Sequence, residues 1–94
     1  MEHLHSELIL NSGDVVLVKI DSEANVMLMD RLNYDAYKNG RTYRYYGGHA
    51  TKAPVRIPAP SAGRWNLVVD LGGYAGNVRA GVSVIQNART ASQA

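Results

Sequence analysis

The densest set of groups able to do chemistry is Arg44-Tyr45-Tyr46-Gly47-Gly48-His49-Ala50-Thr51, which brings guanidinium, phenol, imidazole and hydroxyl groups beside a glycine pair. With Arg41 and Tyr43 just upstream, this stretch can stack a planar ring or a sugar face and donate hydrogen bonds to an anion. Asp70-Leu71-Gly72-Gly73-Tyr74 carries a second glycine pair and is expected nearby. The candidate ligand-binding residues are therefore Arg44, Tyr45, Tyr46, Gly47, Gly48, His49, Thr51, Asp70, Gly72, Gly73 and Tyr74. On a strand, Tyr43 and Tyr45 would share one face and Arg44 and Tyr46 the other, so the competing reading makes one tyrosine set part of the core.

Other chemistries leave weaker traces. Both glycine pairs follow strand-like runs, and neither opens a Gly-x-Gly-x-x-Gly turn into a helix or ends in Gly-Lys-Ser/Thr, so dinucleotide and P-loop signatures are absent. Tight turns explain these glycines best, with a backbone nest for an anion as the functional reading. His3 and His5 sit two positions apart, which on a strand puts both rings on one side about 7 Å apart. They are the candidate metal ligands, with His49 as a third, although no metal and no cofactor is expected. His49, Ser61, Thr51, Asp30 and Asp70 supply the residue types of a catalytic triad without the spacing of a nucleophile elbow. No catalytic residue is assigned.

The elements that must position these groups are short. At 94 residues with 46% hydrophobic and 19% charged residues, the chain suffices for one core and has ordinary globular composition. Cysteine is absent, which excludes disulfides, a thiol nucleophile and cysteine-ligated zinc. The net charge of +2 does not by itself point to nucleic acid, which would require Arg41, Arg44, Lys52, Arg56 and Arg64 to gather on one face. No apolar run reaches the ~20 residues of a membrane helix. The first residues also lack the basic and apolar regions of a signal peptide, so a cytoplasmic location is expected.

Alternation over His3–Leu10, the β-branched run Val15–Ile20 and the run Asn25–Met29 predict three strands separated by polar breaks. Asp30 is a candidate N-cap for a helix over Arg31–Lys38, stopped by Asn39-Gly40. Thr42–Tyr46 predicts a fourth strand ending at the glycine pair. Ala53–Pro58, with a proline near each end, predicts an edge strand. Trp65–Leu71 and Asn77–Ile85 complete a set of seven, and residues 86–94 read as a flexible tail after a single domain over 1–85. Turns too short for parallel crossovers make this a mainly β chain: an antiparallel β-sandwich or flattened barrel with one short helix inserted.

Ala24-Asn25-Val26-Met27-Leu28-Met29-Asp30, Tyr45-Tyr46-Gly47-Gly48-His49-Ala50-Thr51-Lys52, Pro54-Val55-Arg56, Trp65-Asn66 and Asp70-Leu71-Gly72-Gly73-Tyr74 together resemble the bacterial family known as domain of unknown function 1883. The resemblance implies a β-sandwich-like fold, a bacterial source, and an association in some members with Toll/interleukin-receptor-like domains. More loosely, the order of elements resembles secreted pre-peptidase C-terminal modules, which are accessory binding modules rather than catalysts. The expected function is a non-enzymatic module for a small polar ligand or a partner protein. The alternatives are a small enzyme using His49 and a nucleic-acid-binding module. The first strand has no proline or lysine to protect its edge and is the expected site of homodimer formation.

Overall fold

The computed structural model describes residues 3–72 and 76–86. Among these described residues seven strands and one helix follow in the order β1 (Leu4–Leu10), β2 (Val15–Ile20), β3 (Ala24–Met29), α1 (Arg31–Lys38), β4 (Tyr46–Ala50), β5 (Val55–Pro58), β6 (Gly63–Asp70) and β7 (Ala80–Ile85). They form a four-stranded sheet, β1-β6-β3-β4, and a three-stranded sheet, β5-β2-β7. Every pairing is antiparallel and neither sheet closes on itself. The fold is thus an open two-sheet sandwich rather than a barrel. Among the described residues no helix is long and apolar enough to cross a membrane.

Period-two alternation builds the main core. Val26 and Leu28 of β3, Leu67 and Val69 of β6 and Leu10 of β1 point at Val16 and Val18 of β2 and Ile57 of β5. Val78, Ala80, Val82 and Val84 close the same layer, as the alternation toward the C-terminus predicts. The residues in between belong to the opposite face of the larger sheet. There Met27, Met29 and Val68 form a second, smaller core with Tyr34 of α1, flanked by Tyr37 and Tyr43. Strand β6 is covered on both sides, which is why every residue from Trp65 to Asp70 is buried.

The helix starts where the sequence places it. Asp30 is extended (φ −75°, ψ 177°), and its Oδ1 accepts from the Asn33 backbone N–H at 2.8 Å, satisfying a donor that the first turn leaves unpaired. It stops at Asn39, with Gly40 at φ +69°. The proline-flanked strand β5 is an edge, as expected, and lies against β2.

One strand differs from expectation. The predicted strand over 42–46 is instead β4 at Tyr46–Ala50, so the glycine pair lies inside the ladder rather than after it. Gly47 takes φ +113° beside Met27, where an added Cβ would lie 2.3 Å from the Val26 carbonyl oxygen. Absence of a side chain therefore lets β4 approach β3, where a turn out of the sheet was expected. Residues 43–45 run along the helix instead: Tyr43 meets Tyr37 edge-on at 5.1 Å, and the Arg44 N–H donates to Asn33 Oδ1 at 2.7 Å. The alternation of faces expected for Tyr43, Arg44, Tyr45 and Tyr46 consequently does not apply. The tail beyond Gln86 lies outside the described residues.

Candidate functional site

Strand register places a polar row across one end of the larger sheet's helix-covered face. Asn25 of β3 has Asp70 of β6 on one side and His49 of β4 on the other. Asn25 Nδ2 donates to Asp70 Oδ1 at 2.9 Å, the Gly72 N–H donates to the same oxygen at 2.9 Å, and the Tyr37 hydroxyl donates to Asp70 Oδ2 at 2.5 Å. Asp70 is only 3% exposed, and these three donors compensate a carboxylate taken out of water. Gly72 serves this arrangement at φ +64°, where any side chain would be strained and its Cβ would crowd the Asn25 amide at 3.0 Å. Burial, and then the bond to Asp70, push the Tyr37 phenol well above its ordinary value. Burial and the Asp70 charge raise Tyr43 as well, so both hydroxyls keep their protons.

The row continues to the surface through His49, whose Nδ1 lies 3.3 Å from Asn25 Oδ1 and whose Nε2 lies 2.6 Å from Glu23 Oε1. A carboxylate only accepts hydrogen bonds, so Asp70 turns the Asn25 amide nitrogen toward itself and the amide oxygen toward His49. Both imidazole nitrogens then face acceptors. Neither is positioned to take a proton from a nucleophile, and no hydroxyl is bonded to His49 among the described contacts. Among the described contacts His49 thus has the carboxylate partner of a histidine-based catalytic set and no hydroxyl bonded to it, although the Ser22 hydroxyl lines the same groove.

The histidines near the N-terminus have other partners. His5 stacks on Tyr34 with ring centroids 4.1 Å apart, and its Nε2 is bonded to Asn66 Oδ1 at 2.8 Å; His3 Nε2 is bonded to the Tyr34 hydroxyl at 3.0 Å. Their rings are 6.4 Å apart, close to the expected strand spacing. His49 cannot join them, because β4 and β1 are the two opposite edges of the sheet, roughly 14 Å apart at ~4.8 Å per strand. Among the described residues no cluster of three or more His, Cys, Asp or Glu is placed to hold a metal.

The stretch around which the sequence suggests a single site is divided between two grooves. The first, of 610 Å³, is lined by Arg44, Tyr45 and Tyr46 together with Met29, Asp30, Asn33 and Trp65. The second, of 720 Å³, is lined by His49 and Gly72 with Ser22, Glu23, Asn25, Leu71 and Asn77 among others. Tyr46 pairs with Leu28 and His49 with Asn25, three residues and about 10 Å apart along the strand, so the two grooves open at opposite ends of the sheet.

Among the comparisons with known proteins, the profile of a domain of unknown function, DUF1883, matches residues 1–88. The chain belongs to the DUF1883 family. Comparison with curated proteins and with solved structures returned no match. In this DUF1883 domain the string Tyr45-Tyr46-Gly47-Gly48-His49 runs from one groove through β4 to the other. Gly47 and Gly48 form the ladder between them, Thr51 follows β4 and lines neither groove, and Asp70 sits beneath the second, held to Asn25 and Gly72. Gly73 and Tyr74 lie outside the described residues. Sequence reasoning missed Asn33, Asn25 and Glu23 as site residues. The capping signal at Asp30 placed Asn33 in the helix's first turn, but nothing local announces that its side chain reaches Arg44.

Proposed function

We propose that this DUF1883 domain is a non-enzymatic binding module whose first groove holds a small, uncharged polar ligand with a ring face. The observation carrying this reading is the meeting, in one groove, of two half-exposed tyrosines with the Arg44 guanidinium, Asp30 and Asn33. Tyr46 is braced edge-on by Trp65 at 5.9 Å, which holds an aromatic surface in place for stacking. Arg44 makes no ion pair among the described residues and offers donors, while Asp30 commits Oδ1 to the helix cap and keeps Oδ2 as an acceptor. Donors and an acceptor side by side suit hydroxyl groups, which both give and receive. A phosphate would meet the Asp30 carboxylate at close range. The groove volume falls in the range of small-molecule sites, about 300–1,000 Å³, which favours a small ligand over a protein partner.

Nucleic acid is a poorer fit. Arg56 lies on the outer face of the smaller sheet and Arg64 on the outer face of the larger one, opposite sides of the sandwich, and Arg64 pairs with Glu7 at 3.5 Å. For the cell compartment we favour the cytoplasm, with which a cysteine-free chain is compatible.

Thermal unfolding in the presence of neutral sugars, nucleosides and their phosphorylated forms tests the proposal. A ligand at a hundredfold excess over its Kd stabilises by about 2.7 kcal/mol, and Arg44→Ala should abolish the shift. Failure of every compound to stabilise the protein at millimolar concentration would reject the small-ligand role.

A further inference from the structure

Among the described residues β1 pairs with β6 on one side and has no strand on the other. Its seven residues contain neither proline nor lysine, the usual protections of an exposed edge. The other edges are less suited to pairing: β4 carries two glycines at φ +113° and +147°, β5 is four residues ending in Pro58, and β7 has no charged residue to select a register.

Strand β1 is also self-complementary. Its helix-side face presents His3, His5, Glu7 and Ile9, and its inner face Leu4, Ser6 and Leu8. A two-fold axis perpendicular to the sheet keeps the faces of both copies aligned, so only registers that pair residues of like face are allowed. Centred on Ser6, the antiparallel ladder sets His5 opposite Glu7 of the second copy, Leu4 opposite Leu8, and His3 opposite Ile9, each contact occurring twice. Centred on Glu7, it would instead face two carboxylates across the axis, which opposes pairing. Centred on His5, it would shorten the ladder to residues 3–7.

We infer that the edge of β1 is an interface for a second copy of this chain, joined antiparallel about Ser6 into a continuous eight-stranded sheet. The His5–Glu7 pairs set the register, the backbone groups of β1 supply the hydrogen bonds, and exposed Leu4 is covered by Leu8. Both helices lie on the same side of the joined sheet, because the axis does not exchange its faces.

The chain has no cysteine, so Ser6→Cys introduces a single thiol at the one position that would face itself. Paired Cα atoms in an antiparallel ladder lie about 4.5–5.5 Å apart, within disulfide range. In oxidised glutathione, Ser6→Cys should form a covalent dimer at least about tenfold faster than Glu7→Cys or Ser83→Cys, the latter reporting on β7. Sedimentation of the unaltered protein should show the 10.2 kDa species giving way to a dimer as concentration rises. Glu7→Lys, which removes the acceptor from both His5–Glu7 contacts of the dimer and places a lysine on the edge, should weaken association about tenfold. A single monomeric species up to millimolar concentration would overturn the inference. Faster cross-linking of Glu7→Cys or Ser83→Cys would overturn the register or the edge.

Discussion

The two faces of the four-stranded sheet are built from the same strands yet do different work. On the inner face Val26, Leu28, Leu67 and Val69 meet Val16 and Val18 in an aliphatic layer. On the outer face Met27, Met29 and Val68 lie under Tyr34, while Asn25, Asn66 and Asp70 share that face with His3, His5 and His49. Among the described residues no buried side-chain nitrogen or oxygen lacks a hydrogen-bond partner, so this wetter layer is satisfied throughout. The aliphatic layer supplies cohesion without direction, whereas hydrogen bonds, being directional, fix where polar groups sit.

Truncating the inner layer should therefore cost most. Leu28→Ala, at a fully buried position, should destabilise by about 4 kcal/mol in chemical denaturation, and a loss below about 1 kcal/mol would show that this layer does not dominate. Next comes the backbone contact that lets the edge strand join the sheet. Gly47→Ala should cost about 3 kcal/mol, because the new Cβ must push away from the Val26 carbonyl at a φ unfavourable to alanine. Hydrogen-exchange protection should fall first in β4.

On the outer face, Tyr37→Phe removes one of the three donors to Asp70 and should cost about 2 kcal/mol. It should also change the alkaline limb of the stability curve. The unfolded chain releases tyrosine protons near pH 10, whereas native Tyr37 keeps its proton to higher pH. Above pH 10 the native state thus binds more protons than the unfolded state, and stability falls as pH rises toward the native value. Below pH 10 the contribution is complete. Tyr37→Phe should flatten that decline, and an unchanged slope would remove Tyr37 as its cause. The smallest effect belongs to the exposed end of the polar row. His49→Gln breaks a solvent-exposed pair with Glu23 and should alter stability by about 0.5 kcal/mol or less. A larger loss would mean that the row acts as one cooperative unit from surface to Asp70.

Much of the scaffold was legible from local pattern. The alternation in β1 placed His3 and His5 on one face correctly, the β-branched run of β2 became a strand buried at Val16 and Val18, and Asp30 capped the helix as its type and position suggested. The fourth strand was misplaced, because aromatic and β-branched residues at 42–46 favour a strand while glycines normally weaken one. Close approach to Val26 reversed that preference at Gly47. The candidate site was legible in its residue types and not in its grouping.

The sequence by itself determined the number and kind of elements and, outside β4, which side chains share a face, because capping and period-two alternation are written within a few residues of each other. It also determined the family. Only the tertiary structure decided that Arg44 and Tyr46 keep company with Asp30 and Asn33 while His49 joins Glu23, Asn25 and Asp70. Those partnerships depend on which strands become neighbours and in what register, and a shift of β4 along β3 by two residues would keep every face and exchange every partner.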